Sequence, residues 1–400
     1  MPPMTRRISL VVLFSLFLPN LRADDDPSFN GRKMTEWMAI LKDDSLVRKR
    51  RAAVVSLGQI VAGDAAAQKK AFPPLVKALK TDSNAGVRAQ VATLFGQQST
   101  EAAALFLSDV AEALRSEKDS DVRKELAVAA GRYGKLSAAA VLPLTDILKD
   151  KAAPTRAAAA EALGRIGKEA RKSAPVLVPL AQDADRGVRY AAVFALGRID
   201  PDDSEAAAEA ILEVLNKEHA NGPKAAAVAA GVAGLAWATT RDAELTSACV
   251  VSLGLLGEKS PDVVKAVARH LADPDTELRQ LSANTLGKFG IIGRVASLEL
   301  TKAFQQDTDR LVRTYALNSL CAAHGSDVKD LIPVLTARLN ADADYEVRIA
   351  IAEQLGGMGA VAKDALPALR EARRDPQLKV REAAGIAIRQ IEKPPEKPKP

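Results

Sequence analysis

The chain repeats itself, and that repeat limits its fold more than any local motif does. In DRGVRYAAVFALGRI, residues 185–199, an acid-led turn precedes Arg189, small apolar residues follow, and Gly197 stands eight positions after the arginine. The same register recurs at Arg50, Arg88, Arg123, Arg156, Arg189, Thr246, Arg279, Arg313, Arg348 and Arg381, so nine of ten anchors are arginine. Eight residues after the anchor, eight of ten positions are glycine, and seven residues after it all ten are apolar. Six residues before it stands an acid in nine of ten copies: Asp44, Asp82, Glu117, Asp150, Asp183, Asp273, Asp307, Asp342 and Asp375, with Thr240 the exception. Anchors lie 33 to 38 residues apart, save for a gap of 57 between Arg189 and Thr246. A period near 33 marks a unit too small to bury its apolar face alone, so each copy must stack on its neighbours.

Within one copy, Ala192, Val193, Leu196 and Gly197 fall three, four, seven and eight residues after the anchor, which is one face of an α-helix. The preceding half also reads helical, as in SAAAVLPLTDILKD (137–150) and DLIPVLTARLN (330–340). Pro143, Pro175, Pro333 and Pro367 stand near its start, where a missing amide donor costs least. Each copy is therefore a helical hairpin. The anchor arginine and the acid are expected to meet across the junction between hairpins and to satisfy amides at helix ends. The glycine eight after the anchor lets the next helix approach closely, and a second one three residues later (Gly134, Gly167, Gly257, Gly290, Gly359) suits a helix terminus of left-handed geometry. These Gly-x-x-Gly pairs end helices and follow no strand, which excludes a phosphate-binding loop.

With VRYAAVFALGRI (188–199) and TRAAAAEALGRIG (155–167) in view, the chain resembles the HEAT repeat family, in its HEAT-like short-repeat subgroup, over roughly residues 33–391. The resemblance implies an all-α, right-handed α-solenoid of about ten to eleven HEAT-like hairpins, with second helices lining a concave surface and a scaffold or protein-binding role. RKMTEWMAILKD (32–43) is similar to the first helix of a starting unit, with Trp37 as packing anchor, and Arg389 with Gln390 gives the last unit the polar end of a terminal cap.

Residues 1–23 differ from the rest. Arg6 and Arg7, the apolar run Ile8–Leu18 and Ala23 ahead of three aspartates predict a cleaved signal peptide, hence a secreted or periplasmic protein with no membrane insertion after cleavage. The solenoid is expected over residues 24–391, with an irregular segment at about 200–245, and a disordered Pro/Lys-rich tail over residues 392–400. The formal charge of +6 falls to +1 for residues 24–392 once three signal arginines and the tail's excess of two cations are set aside. That balance is no footprint for nucleic acid. Cys249 and Cys321 lie in different units, too far apart for a disulfide, and read as buried small hydrophobes.

No catalytic constellation stands out. The three histidines, His219, His270 and His324, fall in different units without the repeated His-Glu steps of HEAT-like di-iron hydroxylases, so neither a metal site nor a cofactor is expected. With aromatics at 4% of the chain, a large aromatic-lined cofactor pocket is also unexpected. The enzymatic alternative is a bilin lyase-like, chromophore-handling protein, though no chromophore site is recognisable. The expected function is a monomeric, non-catalytic scaffold for a protein partner. One candidate surface is a ladder of Arg132, Arg165 and Arg198, each nine after its anchor, with Lys124, Tyr190 and Phe194 beside it, as a strip for an acidic protein segment. Its plainer reading is a solvated helix face on which Glu161 and Arg165 pair four residues apart. The irregular segment predicts a helix at 204–218, a turn HANGP at 219–223 and an Ala-rich helix at 224–238. It is either a cleft with His219 and Trp237 nearby or a decayed repeat, and decay is the reading preferred.

Overall fold

The computed structural model describes residues 26–221, 242–257 and 260–393. The expected signal peptide, the Ala-rich helix with Trp237, Thr240 and tail residues 394–400 lie outside the described residues. Two compact units divide the chain, Met1–Leu94 and Phe95–Pro400. The fold is all-α, a solenoid of stacked helical hairpins, ten of them among the described residues.

The first unit opens on a two-residue antiparallel ribbon, β1 (Ser28–Phe29) and β2 (Arg32–Lys33). Its turn is Asn30-Gly31, both at positive φ, which is the pair a tight hairpin needs. The sequence reading missed this ribbon, although the Asn-Gly signal was there. Then follow α1 (Met34–Asp43), α2 (Val47–Val61), α3 (Ala65–Thr81) and α4 (Ala85–Gly96). Trp37 is buried as expected: its indole N–H donates to the Phe29 carbonyl (3.0 Å), and the Arg32 guanidinium lies 5.1 Å from the ring centre.

The second unit holds α5 (Thr100–Ala103) and the hairpins α6 (Leu107–Ser116)–α7 (Ser120–Arg132), α8 (Val141–Ile147)–α9 (Ala153–Ile166) and α10 (Ala174–Leu180)–α11 (Arg186–Leu196). The pairs α12 (Ser204–Asn221)–α13 (Ala243–Leu256) and α14 (Pro261–Ala268)–α15 (Thr276–Lys288) follow. The last are α16 (Ser297–Gln306)–α17 (Arg310–His324), α18 (Ile332–Leu339)–α19 (Tyr345–Gly357) and α20 (Leu366–Ala372)–α21 (Leu378–Glu392). The first helices are shorter than expected. Five of them, α8, α10, α16, α18 and α20, are preceded by a 3₁₀ turn (Gly134–Ala140, Lys168–Ser173, Gly290–Ala296, Val328–Leu331, Gly359–Ala365). Pro175, Pro333 and Pro367 then occupy the second residue of their helices. Glu392, expected in the tail, instead ends α21, where it pairs with Arg370 (3.1 Å).

Two devices join successive hairpins. The first is a polar rung. The Nε and Nη2 of Arg156 donate to the two carboxylate oxygens of Asp183 in the next hairpin (3.0 and 2.8 Å), while its Nη1 donates to the carbonyls of Asp150 and Lys151 in its own turn (2.9 and 3.1 Å). Asp183 in turn accepts the Asp185 amide (2.8 Å). The same fork joins Arg279 to Asp307, Arg313 to Asp342 and Arg348 to Asp375, and in the first unit Arg50 to Asp82, while Arg123 donates through both Nε and Nη2 to Oδ2 of Asp150, whose Oδ1 accepts the Ser120 hydroxyl. The second device is the glycine eight after the anchor. A Cβ on Gly131, Gly164 or Gly356 would stand 2.9, 2.8 or 2.9 Å from the Cα of Ala162, Ala195 or Ala387, each six after the next anchor. Any side chain there would push two second helices apart.

The long gap holds a variant of the same plan. The helix predicted at 204–218 runs on through Asn221, so no turn begins at His219, because the Leu215-Asn216-Lys217-Glu218 turn carries helix-compatible residues straight into it. Buried Glu218, 29 residues after Arg189, sits where the acid is due and accepts the Asp242 amide (2.7 Å). At the next anchor, buried Thr246 bonds the Asp242 carbonyl (2.7 Å) and supplies no guanidinium. Asp273 there stands 3.5 Å from Nδ1 of the buried His270, whose ring meets His219 edge-on at 5.2 Å. Cys249 is buried as expected, which pushes its thiol pKa up; Cys321 is only half-buried, and its pKa rises to about 11 through the same desolvation. Both are free.

Candidate functional site

The second helices α7, α9 and α11 pack side by side through the glycine contacts, and this places the predicted arginine ladder on one surface. Arg132, Arg165 and Arg198 immediately follow the buried glycine of each helix and are exposed. The stem of Arg165 crosses onto α7, its Cδ 3.6 Å from where a Cβ of Gly131 would be. Phe194 lies over Gly164 in the same way, and the Arg198 guanidinium sits 4.4 Å above the Phe194 ring. The absence of a side chain on each glycine thus seats an aliphatic stem or a ring, and the charged heads stand in water.

Arg165 pairs with Glu161 at 2.5 Å, as the plainer reading anticipated. Arg132 has no ion pair among the described residues. Lys124 and Tyr190 lie eight residues, about 12 Å, up the helix axis from the arginines. Lys124 pairs with its neighbour Glu125 at 3.3 Å, and Tyr190 is exposed. The structure therefore gathers Arg132, Arg165, Phe194 and Arg198, and leaves Lys124 and Tyr190 on the flank.

Two residues on this surface were missed. Val128, five after its anchor like Phe194, is 54% exposed on α7, and Lys288 on α15 extends the series of cations nine after the anchor, its Cδ 3.4 Å from the Cβ position of Gly254. An apolar residue five after the anchor reads as core in a helical pattern, so only the packing shows that Val128 faces water. Below the strip, Phe95 and Phe106 stack at 4.4 Å, Tyr133 meets Phe106 edge-on at 5.7 Å, and the Tyr133 hydroxyl donates to the carbonyls of Phe95 and Gln98. Burial raises that phenol to about 12, so it stays neutral and holds the end of α7 rigid.

Among the described residues no group of three or more His, Cys, Asp or Glu is arranged to hold a metal ion, and no helix is long and apolar enough to cross a membrane. A family model described as HEAT repeats matches residues 72–152, 141–230 and 297–389, well over half of the chain. The chain belongs to the HEAT repeat family. Among curated proteins, none matches it in sequence. Solved structures share the HEAT-type architecture. An engineered protein is 21% identical, with a TM-score of 0.58 over 90% of this chain and 99% of its own. Kap95p is 16% identical, with a TM-score of 0.61 over 90% of this chain; its structure reports that Kap95p binding induces the switch loops of RanGDP to adopt the GTP-bound conformation. This HEAT chain spans 51% of Kap95p.

Proposed function

We propose that this HEAT protein is a non-catalytic interaction scaffold that grips an acidic segment of a protein partner along the second-helix surface of α7, α9 and α11. Arg132 and Arg198 offer guanidinium heads, Arg165 exchanges Glu161 for a partner carboxylate, and Phe194 with Val128 supplies apolar contact between them. The observation that carries the reading is the seating of the Arg165 stem and the Phe194 ring over buried glycines. It positions cations at the regular spacing of stacked helices, about 8–10 Å, and so favours an elongated partner over a small substrate. The fold is one commonly used for protein interaction, and the neighbour Kap95p binds a protein. The same reading has the chain exported to a secreted or periplasmic location by residues 1–23, working there as a monomer.

The test is retention of partners from the native compartment by immobilised wild-type protein and by the Arg132→Glu/Arg165→Glu/Arg198→Glu variant, with crosslinking and mass spectrometry to locate contacts. Loss of the retained proteins in the variant, with crosslinks on α7, α9 and α11 in the wild type, is the expected result. Equal retention by both proteins overturns the reading.

A further inference from the structure

Arg381 is the last rung arginine among the described residues. Arg381 donates through Nη1 to the carbonyls of Asp375 and Pro376 in its own turn (2.8 and 3.0 Å), as Arg348 does to Asp342 and Ala343 (2.7 and 3.4 Å). The Nε–Nη2 edge of Arg348 holds the Asp375 carboxylate of the following hairpin. Among the described residues, no hairpin follows Arg381 and no acid meets its fork. The turn carbonyls nonetheless hold the guanidinium in the pose that receives a carboxylate at every complete rung before it.

The surroundings repeat the theme. In earlier hairpins, the face of the second helix made by the anchor and the residues four and eight after it is where the next helix packs, with glycine at the eighth. On α21 this face reads Arg381, Gly385, Arg389. Arg373 folds across it, its Cζ 3.3 Å from the Cβ position of Gly385, so its guanidinium lies one helical turn from Arg381 and one from Arg389. None of Arg373, Arg381 and Arg389 has an ion pair among the described residues. Three nearby acids are engaged elsewhere, Asp375 with Arg348, Glu371 with Asn340 (3.2 Å) and Glu392 with Arg370, which leaves Glu382 as the one exposed acid beside three arginines. A cap that only replaced a missing neighbour would be served by charges of both signs, whereas like charges a turn or two apart on one helix repel.

We propose that this end face is a second docking surface, with Arg381 as a preset carboxylate fork flanked by Arg373 and Arg389, for an Asp- or Glu-bearing segment of a protein partner. It is separate from the α7–α11 strip and does not depend on it. The occupant follows from charge and from the fork: the chain's own carboxylates fill that geometry at each complete rung.

The test is fluorescence anisotropy of a labelled Glu-rich decapeptide, with single-stranded DNA of equal charge as the comparison. The starting protein carries Arg132→Glu/Arg165→Glu/Arg198→Glu, so that the strip contributes nothing. Adding Arg373→Glu/Arg389→Glu, two exposed changes that leave the fold intact by circular dichroism, is expected to weaken peptide binding about tenfold or more. Arg381→Lys keeps the charge but loses the fork, and is expected to weaken it about three- to tenfold. Affinity within twofold after both sets of changes overturns the proposal. So does a stronger, equally Arg373- and Arg389-dependent affinity for the DNA, which would assign the face to phosphate.

Discussion

At the scale of the residue, the rung sets the energetics of each junction. Burial opposes the charged form of Asp183, yet the Arg156 fork and the Asp185 amide outweigh it and lower its pKa below the ordinary 3.8; Asp82, Asp150 and Asp375 are lowered by the same balance. A carboxyl whose pKa is depressed on folding contributes stability that is fully present above its unfolded pKa and is lost as pH falls through the folded value. Stability should thus be flat from neutral pH to about 5 and decline below about 4, and Asp183→Asn should be less steeply destabilised by acid there than wild type. Denaturant midpoints against pH measure this, and parallel curves for the two proteins would count against the rung as the source. Arg156→Ala strands the Asp183 carboxylate and two turn carbonyls, and is expected to cost about 2–4 kcal/mol. Arg156→Met/Asp183→Leu, which removes both charges, should cost less than the single change.

At the scale of the element, the close approach of second helices decides which glycines can be replaced. Alanine is a better helix former than glycine by about 1 kcal/mol, but a Cβ on Gly164 would lie 2.8 Å from the Cα of Ala195 and against the Phe194 ring. Gly164→Ala should therefore lower the melting temperature, whereas Gly357→Ala, with nothing within 4 Å, should leave it unchanged or raise it. Calorimetry of the two variants separates packing from propensity. The sequence revealed this pairing only in part. The anchor-to-glycine register announced the hairpins, the rungs and the glycine contacts, because identical junctions impose identical residues. The facing partner, a small residue six after the next anchor, stayed hidden, since small residues occur throughout these helices. The candidate strip was legible as a set of arginines, but Val128 was not, nor was the distance separating Lys124 and Tyr190 from it. Periodicity tells which face of a helix a residue lies on, and not which neighbours reach across.

At the scale of the whole molecule, a repeat array is stable through nearest-neighbour junctions, so a weak junction divides it. In the second unit the buried Arg–Asp forks run to Arg156–Asp183 and resume at Arg279–Asp307, and Thr246 supplies no guanidinium between them. The junction one hairpin earlier, between α11 and α13, is bridged by Arg186, which pairs with Asp242 and Glu244 through a side chain 53% exposed, against 18% for Arg156 and 13% for Arg279. Exposed pairs contribute about 0–1 kcal/mol, well short of a buried fork whose removal strands a charge. Unfolding should then propagate freely along α7–α11 or along α15–α21 and poorly between them. Hydrogen exchange with mass spectrometry reads this directly: Arg156→Ala should speed exchange in α7–α11 and leave α17–α21 protected, and Arg313→Ala should do the reverse. If either change loosens both stretches equally, the array is one cooperative body and the missing fork at Thr246 has no mechanical consequence.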